Sequence, residues 1–149
     1  MTQASDSMTR KVIVAQPEIT LRDAWTLMSR EDFRHLPVVS GGTLLGILSD
    51  RDILIRAHQK GDELLVPDTP VGEAATPWPF VCEPDTDVRQ LVHTMIDKKI
   101  DAVPVIDGAN QLIGLVTSTD LMLLLLGPDE LKMPLPFLFE LEEYQASAA

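Results

Sequence analysis

The chain is short of cysteine, of aromatic residues, of positive charge and of long apolar runs, and each shortage excludes something. Cys82 is the only cysteine in 149 residues. Neither a disulfide framework nor a cysteine-based zinc site can therefore form within one chain, and a lone thiol suits a reducing compartment. Lysine and arginine number 12 against 23 acidic residues, a formal net charge of −11. Such a surface repels phosphate backbones and anionic headgroups, which argues against nucleic acid and membrane as partners. An anionic small ligand would need a locally positive or amide-lined pocket. The longest apolar run, Leu121 to Leu126, is far below the roughly 20 residues that span a bilayer. The first residues, Met1-Thr2-Gln3-Ala4-Ser5-Asp6-Ser7, lack the basic and apolar regions of a secretory signal. A soluble, cytoplasmic protein is expected. The histidines His35, His58 and His93 show no metal-ligand spacing, and no nucleophile, base and orienting group come together in the sequence. Asp50 and Asp52 lie at a helix start with no division between acid and base. Neither catalysis nor a metal site is expected.

What is present is an internal repeat. A shift of 67 residues places Thr9 on Thr76, Val14 on Val81, Pro17 on Pro84, Arg22 on Arg89 and Met28 on Met95. Pro37-Val38-Val39 then falls on Pro104-Val105-Ile106. One extra residue within Gly108-Ala109-Asn110-Gln111 changes the shift to 68, after which Leu44-Leu45-Gly46 matches Leu112-Ile113-Gly114 and Asp52 matches Asp120. Hairpin turns absorb such insertions. Each copy reads as β-α-β-β-α. Val12 to Ala15 and Phe80 to Cys82 are short extended segments. Thr20-Leu21-Arg22-Asp23 and Asp87-Val88-Arg89-Gln90 open helices with capping-box patterns. Leu36–Val39 with Leu44–Leu48, and Val103–Ile106 with Leu112–Val116, are hairpins; second helices begin near Asp50 and Ser118. The divisions expected are a first repeat over 8–57, a linker over 58–70 with one short turn, a second repeat over 71–126 and a tail over 127–149. A unit of about 50 residues buries too little surface to stand alone, so the fold class is α+β with the two repeats packed about a pseudo-twofold axis.

In both copies a strand runs into a helix through glycine, two apolar residues, a hydroxyl, two variable residues and aspartate: Gly46-Ile47-Leu48-Ser49-Asp50-Arg51-Asp52 and Gly114-Leu115-Val116-Thr117-Ser118-Thr119-Asp120. A hydroxyl and free amides at a helix N-terminus can hold a phosphate, and an aspartate one turn on can accept from a ribose diol. The same residues are also good helix N-caps without any ligand. Both readings stand at this level, although capping leaves the recurring glycine unexplained.

With Met8-Thr9, Leu36-Pro37-Val38-Val39 and Val103-Pro104-Val105-Ile106, these strings make the span from Met8 to Leu126 resemble a tandem pair of cystathionine-β-synthase (CBS) domains, often called a Bateman module. The resemblance implies a non-catalytic regulatory fold that binds AMP, ADP, ATP, S-adenosylmethionine or a related ligand between the repeats, and that associates as a homodimer. It implies that each cleft mixes the lead-in segment of one copy with the hydroxyl and aspartate of the other. One cleft would use Thr76, Phe80 and Val81 with Ser49 and Asp52; the other would use Thr9, Ile13 and Val14 with Thr117 and Asp120. The first is the better phosphate site, because Arg34, His35 and Arg51 flank it, whereas the second has Asp101 and no cation at the matching positions.

Trp78 is read as stacking on a base, filling the cleft or covering a core edge, and Cys82 as a small buried residue. The proline-broken, apolar tail is expected to pack on its own module, cross to a second subunit or dock on a separate target protein, with frayed residues at its end. The competing function is a ligand-free structural or interaction module.

Overall fold

The computed structural model describes residues 2–126 and 140–144. In chain order its elements are α1 (Ala4–Ser7), β1 (Lys11–Val14), α2 (Leu21–Glu31), β2 (His35–Ser40), β3 (Thr43–Ser49), α3 (Asp50–Arg56), β4 (His58–Lys60), β5 (Glu63–Leu65), α4 (Val71–Ala74), β6 (Thr76–Pro77), α5 (Val88–Lys98), β7 (Ala102–Ile106), β8 (Leu112–Thr117), α6 (Ser118–Leu123) and β9 (Glu140–Glu143). This mixed α+β architecture has the two-repeat plan that the sequence predicts.

Two compact units emerge, and they exchange their lead-in segments. The Ser49 unit comprises 13–79 with 143–144, and the Thr117 unit comprises 2–12 and 80–126 with 140–142.

In the Ser49 unit, β2 and β3 form an antiparallel hairpin closed by Gly41-Gly42. Both glycines have positive φ, 58° and 81°, the conformation of a two-residue hairpin turn that twists with its strands. Helix α2 starts at Thr20, whose hydroxyl accepts from the Asp23 N–H at 3.1 Å. Its apolar stripe, Leu21, Ala24, Leu27 and Met28, is buried with Leu36, Val38, Leu48 and Ile53. Ala15 joins the hairpin edge in parallel, its N–H donating to Pro37 and its carbonyl accepting from Val39, both at 2.9 Å. Strand β6 pairs with β3 through Gly46–Pro77 and Ile47–Thr76.

The Thr117 unit repeats this plan. Hairpin β7–β8 carries an irregularity between Val105 and Ile106, the counterpart of the one between Val38 and Val39. Its longer turn holds the inserted residue, and Asp107 Oδ1 accepts from the N–H groups of Ala109 and Gln111 at 2.9 and 3.0 Å. Helix α5 is capped by Asp87, which accepts from the Arg89 N–H at 2.8 Å. Ala4, Met8, Cys82, Leu91, Met95, Val103, Val105 and Val116 make the core. Thr9 bridges Leu115 in both directions at 2.8 and 3.0 Å.

Three local expectations change. The stretch read as a linker with one turn contains the exposed hairpin β4–β5, turned at Gly61 with φ 61°. Phe80–Cys82, expected as a strand, makes only the single bridge Cys82–Val105. Glu142 and Glu143, expected to fray, lie in β9, which pairs with β1. The last two differences share a cause: the β1 edge has a second partner and the Phe80–Cys82 edge has none among the described residues. The remaining tail, 127–139 and 145–149, lies outside the described residues.

Candidate functional site

The two strand-to-helix junctions hold the candidate residues. At the first, the Ser49 N–H donates to Asp52 Oδ2 at 2.8 Å and the Asp52 N–H donates to Ser49 Oγ at 3.1 Å. At the second, the Thr117 N–H donates to Asp120 Oδ2 at 2.8 Å and the Asp120 N–H donates to Thr117 Oγ1 at 3.2 Å. Both are complete capping boxes, so capping is a real role of these residues.

The glycine that capping leaves unexplained now has a reason. A Cβ on Gly46 would lie 2.7 Å from the Thr76 carbonyl oxygen, and one on Gly114 would lie 3.1 Å from the Thr9 carbonyl oxygen. In each unit the lead-in segment crosses the hairpin at that glycine. The crossing is what carries a threonine toward the aspartate.

From there the junctions diverge. Thr9 Oγ1 donates to both Asp120 oxygens, at 3.1 and 3.2 Å, and the Thr117 hydroxyl adds a contact of 3.0 Å to Oδ2. Burial raises the Asp120 pKa, partly offset by the bonds from Thr117 and Thr9. Thr76, the counterpart of Thr9, is exposed and makes no bond to Asp52. Among the described residues Asp52 Oδ1 therefore keeps its lone pairs, while both oxygens of Asp120 are engaged.

The charged residues also differ. Arg34 Nε lies 3.5 Å from Asp50 Oδ2, with both side chains partly in water, a pair worth about 0–1 kcal/mol. Arg51 is exposed and His35 half-buried. The positions matching Arg34, His35 and Arg51 in the other unit are Asp101, Ala102 and Thr119, and the Ser118 N–H donates to the Asp101 carbonyl at 2.9 Å.

The structure thus groups Arg34, His35, Ser49, Arg51, Asp52 and Thr76 in one unit, and Thr9, Asp101, Thr117 and Asp120 in the other. The apolar residues expected to complete each set fall in the opposite unit: Phe80 and Val81 in the Thr117 unit, Ile13 and Val14 in the Ser49 unit. Phe80 and Val81 line a cavity of about 520 Å³ with Thr86, Gln90, Leu91 and Val103, a volume suited to a small ligand. Lys98 Nζ sits 5.4 Å from the Phe80 ring centroid, within cation–π range. Cys82 also lines the cavity, and burial pushes its thiol up to about 11, against a lowering bond with Thr86. Trp78 is 94% exposed with φ 52°, so it covers no core edge. Two residues were missed in the sequence. Lys98 carried no signal, since its counterpart is Glu31; Tyr144, whose N–H donates to the Val14 carbonyl at 3.1 Å, sits in an acidic stretch with no strand-like alternation. No helix among the described residues is long and apolar enough to cross a membrane.

A family model for the CBS domain matches residues 4–58 and 71–127. The CBS domain-containing protein YhcV of Bacillus subtilis is 31% identical over 121 residues, covering 81% of this chain and 84% of that protein. MJ1225 of Methanocaldococcus jannaschii is 28% identical over 130 residues, 78% of this chain but 46% of that longer protein. The crystal structure of the CBS domain pair of MJ0100, in complex with 5′-methylthioadenosine and S-adenosyl-L-methionine, matches with a TM-score of 0.72 at 25% identity, covering 84% of this chain and 96% of that one. Two repeats with matching bulges and capping boxes, a doubled family match and these relatives agree: the chain belongs to the CBS domain family, as a tandem pair.

Proposed function

We propose that this chain is a non-catalytic regulatory module that binds an adenosine-containing ligand, AMP, ADP, ATP or S-adenosylmethionine, at the residues around Ser49 and Asp52. The observation that carries this reading is the open Oδ1 of Asp52 beside the exposed Arg51. A ribose diol needs a carboxylate oxygen to accept its protons, and a phosphate needs the Ser49 hydroxyl and nearby cations. Arg34, His35 and Thr76 belong to the same unit as Ser49 and Asp52. Binding of adenosine compounds by the MJ0100 domain pair supports the ligand class. The second set, Thr9, Asp101, Thr117 and Asp120, is the weaker site, because Thr9 and Thr117 already engage both oxygens of Asp120.

The reading predicts a thermal shift with at least one member of a panel of AMP, ADP, ATP and S-adenosylmethionine. Ligand at a hundredfold excess over Kd stabilises by about 2.7 kcal/mol. Asp52→Ala should abolish the shift while Asp120→Ala retains it, each measured against its own ligand-free melting temperature to remove the capping loss. Equal loss in both variants sinks the ranking of the sites. A flat response to the whole panel at millimolar ligand favours the second reading, an interaction module, which the completeness of both capping boxes supports. On either reading we propose a homodimer, with a separate target protein as the regulated partner.

A further inference from the structure

Val14 and Val81 occupy the same position in the two repeats, yet Val14 is 0% exposed and Val81 41%. The inward edges are alike: Ala15 and Cys82 each hold their own hairpin through a pair of bonds of 2.9 Å. The outward edges differ. In the Ser49 unit an extended segment of the chain itself lies there. The Tyr144 N–H donates to the Val14 carbonyl at 3.1 Å, and Gln16 Nε2 donates to Glu143 Oε2 at 3.2 Å. Tyr144 packs against the apolar cluster that holds Ala15, Ala24, Leu27 and Leu36. In the Thr117 unit the counterparts of those four, Cys82, Leu91, Thr94 and Val103, line the cavity of about 520 Å³. No described residue bonds the Val81 carbonyl, and the cavity has room for an aromatic side chain. The charges on this edge differ as well. Glu83, exposed, stands in the place of Gln16, and Lys98 is answered within the unit by Asp97 at 3.7 Å. A carboxylate arriving beside Glu83 is repelled, whereas a cation is paired.

We propose that the Phe80–Val81 edge and its cavity form a docking groove for an extended segment of a separate target protein, in which a lysine or arginine precedes an aromatic residue. The backbone of the segment adds to the open edge, as Tyr144 does at Val14. Its aromatic ring enters the cavity and its cation meets Glu83. A chain with a formal net charge of −11 draws basic segments toward it. The groove goes beyond the ligand reading above and does not depend on it.

The test titrates the isotope-labelled full chain with three capped peptides and follows the backbone amide shifts. The first peptide is residues 140–145 of this chain, the second carries Glu143→Lys, and the third carries Glu143→Lys with Tyr144→Ala. The second should move the amides of Phe80–Cys82 and α5, and bind about two- to fivefold tighter than the first, the range of an exposed ion pair. The third should bind weakest. On the surface variant Glu83→Lys the order of the first two should reverse. No shift at millimolar peptide, shifts confined to β1, or the same order on parent and variant overturns the groove. So does AMP moving these amides when the second peptide does not, which gives the cavity to a small ligand. Shifts at these amides on concentrating the chain alone give it to a second copy, and overturn the groove equally.

Discussion

The carboxyl of Asp120 accepts from Thr9 and Thr117 in a partly buried setting, and burial lifts its pKa above the usual value of 3.8. Between 3.8 and that raised value the folded chain keeps a proton that the unfolded chain releases. Asp120 thus adds stability that is fully present below the unfolded pKa and is lost as pH rises through the folded one. Asp120→Asn removes this titration while an amide oxygen still accepts from Thr9. The melting temperature of the variant relative to the parent should therefore rise with pH from about 3.8 upward; a pH-independent difference contradicts the assignment. Cys82 is set by the same force. With its thiol at about 11 it is almost wholly protonated near neutrality, which makes it a packing residue and a poor nucleophile. The choice of hydroxyl and aspartate at 49, 52, 117 and 120 is legible in the sequence, because local capping geometry depends on spacing alone. Which carboxylate stays open is not, since it depends on a threonine 111 positions away at one junction and on Thr76 failing to reach at the other.

At the level of elements, the repeat fixes where helices and hairpins begin with little ambiguity. Helices α2 and α5 end at the matched residues Asp32 and Lys99, both in the left-handed conformation with φ 55°, and no glycine marks either stop. The capping boxes expected at Thr20 and Asp87 form only their side-chain-acceptor half, because the first-turn residues Asp23 and Gln90 make no return bond. The two motif glycines show how an element's position relative to another escapes a local reading. Each is required by a backbone crossing, and crossings are tertiary. Gly46→Ala sets a methyl against a backbone carbonyl at 2.7 Å, which must displace β6 and should cost about 1–3 kcal/mol. At Gly114 the nearest atom is the flexible end of Met8 and the carbonyl stands off at 3.1 Å. Urea denaturation should therefore rank Gly46→Ala as the more damaging; the reverse order contradicts the crossing argument.

For the molecule as a whole, the two-repeat plan was readable because duplication writes the same pattern twice, and agreement between copies filters out chance. The exchange of lead-in segments and the pairing of β9 with β1 were not readable, since neither leaves a periodic mark. Exposed apolar residues on α3, Leu54 and Ile55 (71%), and on and just after α6, Met122 and Leu125 (85%), exceed what scattered surface residues need. They are the faces, one in each unit, that we assign to the proposed homodimer. Sedimentation should give a dimer for the parent and a monomer for Ile55→Glu combined with Met122→Glu, and a monomeric parent discards the assignment.

The exchanged segments also impose an order on folding. As the chain leaves the ribosome, residues 13–79 can close β2, β3, α2 and β6 on one another early. Residues 2–12 emerge before these, yet their partners, from Pro84, Thr86 and Asp87 to Leu115 and Asp120, are made much later. Until then Ala4, Met8 and Val12, all buried at the end, have no native surface to meet. Loop closure over that distance is slow relative to local contacts, so this early segment is the last to be seated, and that interval is when this protein is most open to capture by a chaperone or by a neighbouring copy of itself.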